Sequence, residues 1–295
     1  MSVSRILKSG IIFLVYSNIF IAFCTCSFTA RTSLLLVGNN GAWLVNSFVF
    51  FATLLFYCFH RMNKKEFLSP DENKEERNHW MNQHKSIYYI LIFVSFIALA
   101  TEIFFMPLRT WMVFIPVGLL GIGYTFPILP TSGGWKRLRD IYWLKTLWIA
   151  FAFAWLTTFL PVIFSHPISS ILQPKVLFIF SRSFLFLFAI CIPFDIRDMD
   201  YDKNKGVKTL PILAGAKKAI YISITLLLFF IALTCIQFFY FNLAFKPASA
   251  LLISALLTIT LLFFAKSKRP ALFYPLLFDG AMLVQWAAVF VLTHS

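Results

Sequence analysis

The chain reads as an all-α polytopic membrane protein with nine transmembrane helices, and three observations predict this. First, of its 295 residues 60% are hydrophobic and 19% aromatic, with a mean hydropathy of +0.80. A soluble fold of this length cannot cover so much apolar surface. Second, nine apolar runs reach the length of about 20 residues that a membrane helix needs. They lie near 10–29, 42–60, 86–106, 110–129, 143–164, 175–195, 217–240, 247–265 and 271–293. Third, charge alternates between the connections. With the N-terminus in the cytoplasm, 21 of the 26 Lys and Arg fall on the cytoplasmic side, and only Arg31, Arg109, Lys175, Arg182 and Lys246 do not. Such a positive-inside bias sets orientation, and losing or adding one span would scramble it. The net charge of +14 therefore reports topology rather than nucleic-acid binding.

Residues 1–295 read as a single domain in the lipid bilayer, and a nine-helix chain with no cleavable leader fits a bacterial inner membrane. Taken in order, the first two spans carry Asn18 and Asn46, which read as interhelical hydrogen-bond partners. The five cysteines, Cys24, Cys26, Cys58, Cys191 and Cys235, all lie in apolar runs and read as buried, inert thiols. The second span ends in Tyr57-Cys58-Phe59-His60-Arg61, followed by a polar stretch containing Asp71-Glu72-Asn73-Lys74-Glu75-Glu76. That stretch predicts a short surface helix or a loop with a solvated charged face. The fourth span ends at Tyr124, followed by the basic group Lys136, Arg137 and Arg139. Asp279 lies about 12 Å into the ninth span at 1.5 Å per residue. A carboxylate there must face a polar cavity, pair, or be neutral. Arg182 enters the sixth span from the opposite side and is not its expected partner.

The sixth span leads into the most informative stretch. Asp195, Asp198, Asp200 and Asp202 place four of the twelve acidic residues within eight positions at a membrane boundary. If the helix continues, Asp195, Asp198 and Asp202 share one face and Asp200 points elsewhere. Stacked carboxylates repel unless a cation lies between them. Hard oxygen ligands suit Mg²⁺, which takes one or two carboxylates and completes its shell with water and phosphate.

Arg197-Asp198-Met199-Asp200-Tyr201-Asp202, with Gly206 and Lys208-Thr209-Leu210-Pro211, resembles the second aspartate motif of the UbiA-type intramembrane prenyltransferases. Its Arg-Asp opening is most similar to the dihydroxynaphthoate prenyltransferase branch. The resemblance implies a UbiA-like bundle with cytoplasmic caps over its active site. It also implies Mg²⁺-dependent transfer of a prenyl group from an isoprenyl diphosphate to a lipophilic or aromatic acceptor in the membrane. On this reading Asp198 and Asp202 bind Mg²⁺, supported by Asp195. Lys136, Arg137, Arg61 and Lys208 bind diphosphate oxygens, and Tyr124 donates to phosphate or acceptor. Phenylalanines, 37 in all, line the prenyl groove or face lipid.

The family's first motif, Asn-x-x-x-Asp-x-x-x-Asp, is missing. Tyr57, His60 and Arg61 stand in its place. In one reading Arg61, with His60, grips the diphosphate directly by charge-assisted hydrogen bonds and replaces a metal. A separate alternative to the solvated face makes Asp71 or Glu75 a substitute metal ligand. In the other reading catalysis is lost, and the chain is a lipid-binding protein or a subunit of a complex. A transporter fits less well, since neither internal repeats nor midplane-broken helices stand out.

Overall fold

The computed structural model describes residues 3–37, 42–62, 72–131, 134–138, 141, 144–204 and 206–294, with the side chains of 3–5, 42 and 72–75 outside the description. Among the described residues nine helices are long and apolar enough to cross a membrane. They are α2 (Ile19–Leu36), α3 (Ala42–Met62), α5 (Lys85–Phe105), α6 (Trp111–Thr125), α7 (Leu144–Ser165), α8 (Pro174–Arg197), α11 (Ala216–Tyr240), α12 (Phe245–Leu262) and α13 (Gly280–His294). A 3₁₀ turn at Leu108–Thr110 extends α6 at its start, and a π-helical turn at Pro275–Asp279 opens α13. Shorter helices α1 (Val3–Tyr16), α4 (Glu72–Gln83), α9 (Met199–Asn204) and α10 (Leu210–Ala214) lie between or before them.

The spans form a ring. α8 packs on both α7 and α11, α12 joins α11 to α13, and α13 returns to α2, which packs on α3 and α7. The main core fills this ring, with Phe28, Phe186, Phe230, Leu251 and Phe278 each fully enclosed. α5 and α6 bury the least of themselves. They turn Phe93, Phe96, Phe104, Leu108 and Leu119 outward, as lipid-facing helices do.

Two features depart from the sequence reading. The first apolar run does not form one helix over 10–29. It breaks at Ser17–Asn18, and the spanning segment is Ile19–Leu36, about two turns further on. Asn18 adopts the left-handed conformation (φ 66), which a short polar side chain tolerates better than most. Its side chain is engaged: Nδ2 reaches Cys58 Sγ at 3.5 Å and Oδ1 accepts from Arg61 Nε at 2.8 Å. The interhelical role expected of Asn18 thus also fixes the break. Asn46 Oδ1, by contrast, is buried without a hydrogen-bond partner among the described residues. The second departure is a small antiparallel ribbon, β1 (Leu129–Thr131) with β2 (Gly134–Lys136), in the connection between α6 and α7. The expected surface helix is α4, but it is not solvated all round. Trp80 packs edge-on against Phe13 and Tyr16 at about 6 Å, and Met81 is buried beside Tyr88, Cys58 and Leu54.

Candidate active site

One end of the bundle holds a cavity of about 290 Å³. The elements that reach it arrive by their ends. Arg61 closes α3, Tyr124 closes α6, Lys145 opens α7, Asp195 and Arg197 close α8, Asp202 lies on α9, and Asp279 precedes α13. Helix ends are where polar side chains can be presented without stranding them in hydrocarbon. Apolar walls come from Val15, Phe20, Ile21, Met81, Ile149 and Phe194.

The aspartate ladder forms as the sequence predicts. α8 ends at Arg197, yet Asp198 N still bonds Phe194 O at 3.0 Å and Asp202 N bonds Asp198 O at 2.9 Å, so helical spacing carries through the junction. Asp195, Asp198 and Asp202 all line the cavity, while Asp200 is exposed and points away. After α9 the chain reverses at Gly206 (φ +68), and Val207 N bonds back to Asp202 O at 2.9 Å. The left-handed turn favours glycine there.

Cations answer each carboxylate. Lys145 Nζ donates to Asp195 Oδ1 at 3.3 Å and lies 3.7 Å from Asp202 Oδ2, so one ammonium bridges two aspartates. Thr146 Oγ1 donates to the other oxygen of Asp195. Arg197 forks onto Asp198, Nε to Oδ1 at 2.9 Å and Nη2 to Oδ2 at 3.1 Å, and its guanidinium lies 5.1 Å above the Phe194 ring. Arg61 and Arg77 line the facing wall, with His60 stacked on Phe56 and 5.6 Å from the Tyr124 ring.

Arg77 reaches the cavity from α4. Burial, with Arg61 and Arg197 facing it, pushes its guanidinium down to about 9, so it remains protonated at neutral pH. A bound polyanion would relieve that repulsion. Tyr16, at the end of α1, is pushed up to about 12 by burial and by Glu76, and remains a neutral phenol on the cavity wall.

Of the residues singled out from sequence, Asp195, Asp198, Asp202, Tyr124 and Arg61 come together here, with Tyr57, His60 and Asp279. Lys136, on β2, and Lys208 are exposed and do not line the cavity, and Arg137 is half-buried outside it. Arg139 and Asp71 lie outside the described residues, as does the side chain of Glu75. Sequence reasoning missed Lys145, Arg77 and a role for Arg197. Arg77 had a signal: Trp80 and Met81 stand three and four residues on, so they share its helix face and turn it inward. Lys145 had none, because its partners lie 50 and more residues away.

Among the described residues no three His, Cys, Asp or Glu side chains converge as a metal cage. A Mg²⁺ here would find two carboxylates, Asp198 and Asp202, and take the rest of its shell from phosphate and water. Asp198 is paired with Arg197 and Asp202 with Lys145, so a Mg²⁺ bound there would share these carboxylates with those cations or displace them.

The fold is thus a ring of membrane helices with a cavity of aspartates and arginines at one end. The model of the UbiA prenyltransferase family matches residues 81–278, more than half of the chain, and the protein belongs to that family. The matched segment contains the aspartate ladder and begins after Tyr57–Arg61. No curated protein sequence matches the chain. Solved structures share the fold at low identity. A UbiA homolog from Archaeoglobus fulgidus bound to GPP and Mg²⁺ superposes with a TM-score of 0.65 at 12% identity, over 97% of this chain and 100% of that one. The apo UbiA homolog from Aeropyrum pernix K1 gives 0.66 at 14%, over 93% and 97%. A digeranylgeranylglyceryl phosphate synthase gives 0.55 at 18%, over 97% of each.

Proposed function

We propose that the chain transfers a prenyl group from an isoprenyl diphosphate to a lipophilic or aromatic acceptor within the membrane. The observation that carries this is the convergence of Asp198 and Asp202 with Arg61, Arg77, Arg197 and Lys145 around one cavity with apolar walls. A diphosphate needs cations and the prenyl tail needs an apolar wall, and the cavity offers both. The GPP and Mg²⁺ bound by the Archaeoglobus homolog agree in kind with such a ligand. The positive-inside charge distribution supports a cytoplasmic position for this end of the bundle and for the N-terminus.

In the reaction the bond between prenyl C1 and the diphosphate oxygen breaks, and the diphosphate leaves with the electron pair. The acceptor bonds to C1 and gives up a proton. Mg²⁺ on Asp198 and Asp202 would supply Lewis-acid stabilisation of the leaving diphosphate. Arg61 and Arg77 stabilise the same charge by hydrogen bonds on the facing side, where the family's first aspartate motif is absent. Lys145 holds Asp195 and Asp202 in position, and Arg197 does the same for Asp198. Tyr124 donates to a phosphate oxygen or to the acceptor, and Asp279, which also lines the cavity, takes the acceptor's proton.

A second reading rests on Tyr57, His60 and Arg61 in place of the first motif: the fold is kept, catalysis is lost, and the protein binds lipid or serves as a subunit. One experiment separates the two. Binding of a non-hydrolysable geranylgeranyl diphosphate analogue is measured in nanodiscs with and without Mg²⁺. Mg²⁺-dependent binding supports the enzyme. No binding in either condition overturns it in favour of the second reading.

A further inference from the structure

The cavity holds an arginine that is oriented before any ligand arrives. Arg61 closes α3, and Asn18 stands at the break between α1 and α2. Both line the cavity. Arg61 Nε donates to Asn18 Oδ1 at 2.8 Å. A guanidinium only donates, so the amide oxygen must face it, and this turns Nδ2 toward Cys58 Sγ at 3.5 Å. Cys58 Sγ in turn donates to Ser17 O at 3.6 Å. The break and the last turns of α3 are therefore laced together, and Asn18 itself is 1% exposed. It is an acceptor fixed in place and aimed at one particular nitrogen of Arg61.

Which nitrogen is bound decides what the guanidinium can do. Its two edges for gripping an oxyanion with paired N–H groups are Nε with one Nη, and the two Nη groups end-on. With Nε given to Asn18, the paired edge that remains is Nη1 with Nη2. The other arginines of the cavity are treated differently. Arg197 spends its charge on Asp198. Arg77 Nε is buried without a hydrogen-bond partner among the described residues. Arg61 is held by a neutral amide, which orients the guanidinium without cancelling its charge. A long side chain ordered in advance loses less entropy when its ligand binds.

We propose that Asn18 is a positioning residue for the diphosphate: it holds Arg61 so that the Nη1–Nη2 edge meets the phosphate oxygens as a fork. This rests on the prenyl diphosphate reading of the cavity. Asn18 then has two duties, one in its backbone and one in its side chain. The left-handed backbone (φ 66) makes the helix break, and the amide locks the arginine.

The test is calorimetric binding of the non-hydrolysable geranylgeranyl diphosphate analogue, with Mg²⁺, to the whole protein in nanodiscs. Asn18→Gly separates the two duties, because glycine keeps the left-handed turn and removes the side chain. It should unfold cooperatively and bind at least about tenfold more weakly, the scale of one hydrogen bond to a charged group. Arg61→Gln should lose as much or more, and the double variant should bind no more weakly than Arg61→Gln alone. Such non-additivity marks a shared interaction, which a merely structural asparagine would not produce. Arg61→Lys keeps the charge without the fork and should also lose at least about tenfold, which tests the idea without altering Asn18. Unchanged affinity in Asn18→Gly, additive losses in the double variant, or wild-type affinity in Arg61→Lys each overturns the positioning role and leaves the prenyl diphosphate reading standing. No binding by the wild type overturns that reading and the role with it.

Discussion

The bundle buries polar charge at both ends and treats it in opposite ways. At the cavity end acids and bases alternate: one lysine bridges two aspartates, one arginine forks onto a third, and two more arginines face them across open space. At the other end two buried arginines, Arg31 and Arg182, among the described residues, hydrogen-bond only to neutral side chains. The cavity end has both balanced charge and room, which is what a site needs to exchange a charged ligand repeatedly. The closed end has charge enclosed by protein, with Arg31 and Arg182 each 2% exposed. Buried charge alone thus does not mark an active site. Charge together with accessible volume does.

The comparison can be broken at its strongest point first. Asp198→Asn and Asp202→Asn should each reduce Mg²⁺-dependent binding of the diphosphate analogue by at least about a hundredfold, the scale of losing a charged ligand from a metal site. Titration calorimetry reads this directly, and unchanged affinity in either variant would remove the aspartates from the site. Thermal unfolding should remain cooperative in both.

Next in size is stability. Lys145→Met leaves Asp195 and Asp202 buried without their shared cation, and removing one partner of a buried pair costs about 3–5 kcal/mol. The thermal midpoint should fall sharply, and adding Asp195→Asn should restore part of it. No rescue in the double variant would show that Lys145 acts through packing rather than charge.

Arg77→Gln should weaken diphosphate binding by roughly tenfold or more, since a hydrogen bond to a charged group contributes about 1.5–3 kcal/mol. Its thermal midpoint should hold or rise, because Arg77 is repelled by Arg61 and Arg197 when no ligand is present. A large loss of stability with unchanged affinity would make it a structural residue instead. Gly206→Ala should cost about 1 kcal/mol through its left-handed turn, read as a small shift in the unfolding midpoint. The smallest effect belongs to Lys208→Gln. Lys208 is exposed and outside the cavity, so affinity should change by less than about threefold, and a larger loss would mean that its loop closes over the ligand.

Much of this was legible in sequence because it is local or additive. The spans follow from runs of apolar residues. The carboxylate ladder follows from spacing, because helical geometry alone puts Asp195, Asp198 and Asp202 on one side and Asp200 on the other. The resemblance to the prenyltransferases rested on the same few residues, and the family match contains them.

What the sequence did not carry depends on contacts between distant segments. The break at Asn18 reads as nothing special in an apolar run. It follows from bonds to Cys58 and Arg61 on the next span. Lys145 looked like one more cytoplasmic charge until folding brought it between two aspartates. The basic cluster at Lys136 and Arg137 looked like a diphosphate site and stands outside the cavity, while Arg77, in a stretch that read as a solvated face, lines it. Composition and period fix which segments cross the membrane and which residues share a helix face. Only tertiary structure decides which faces meet, because pairing free energies depend on distance and burial, and neither is written in the order of the residues.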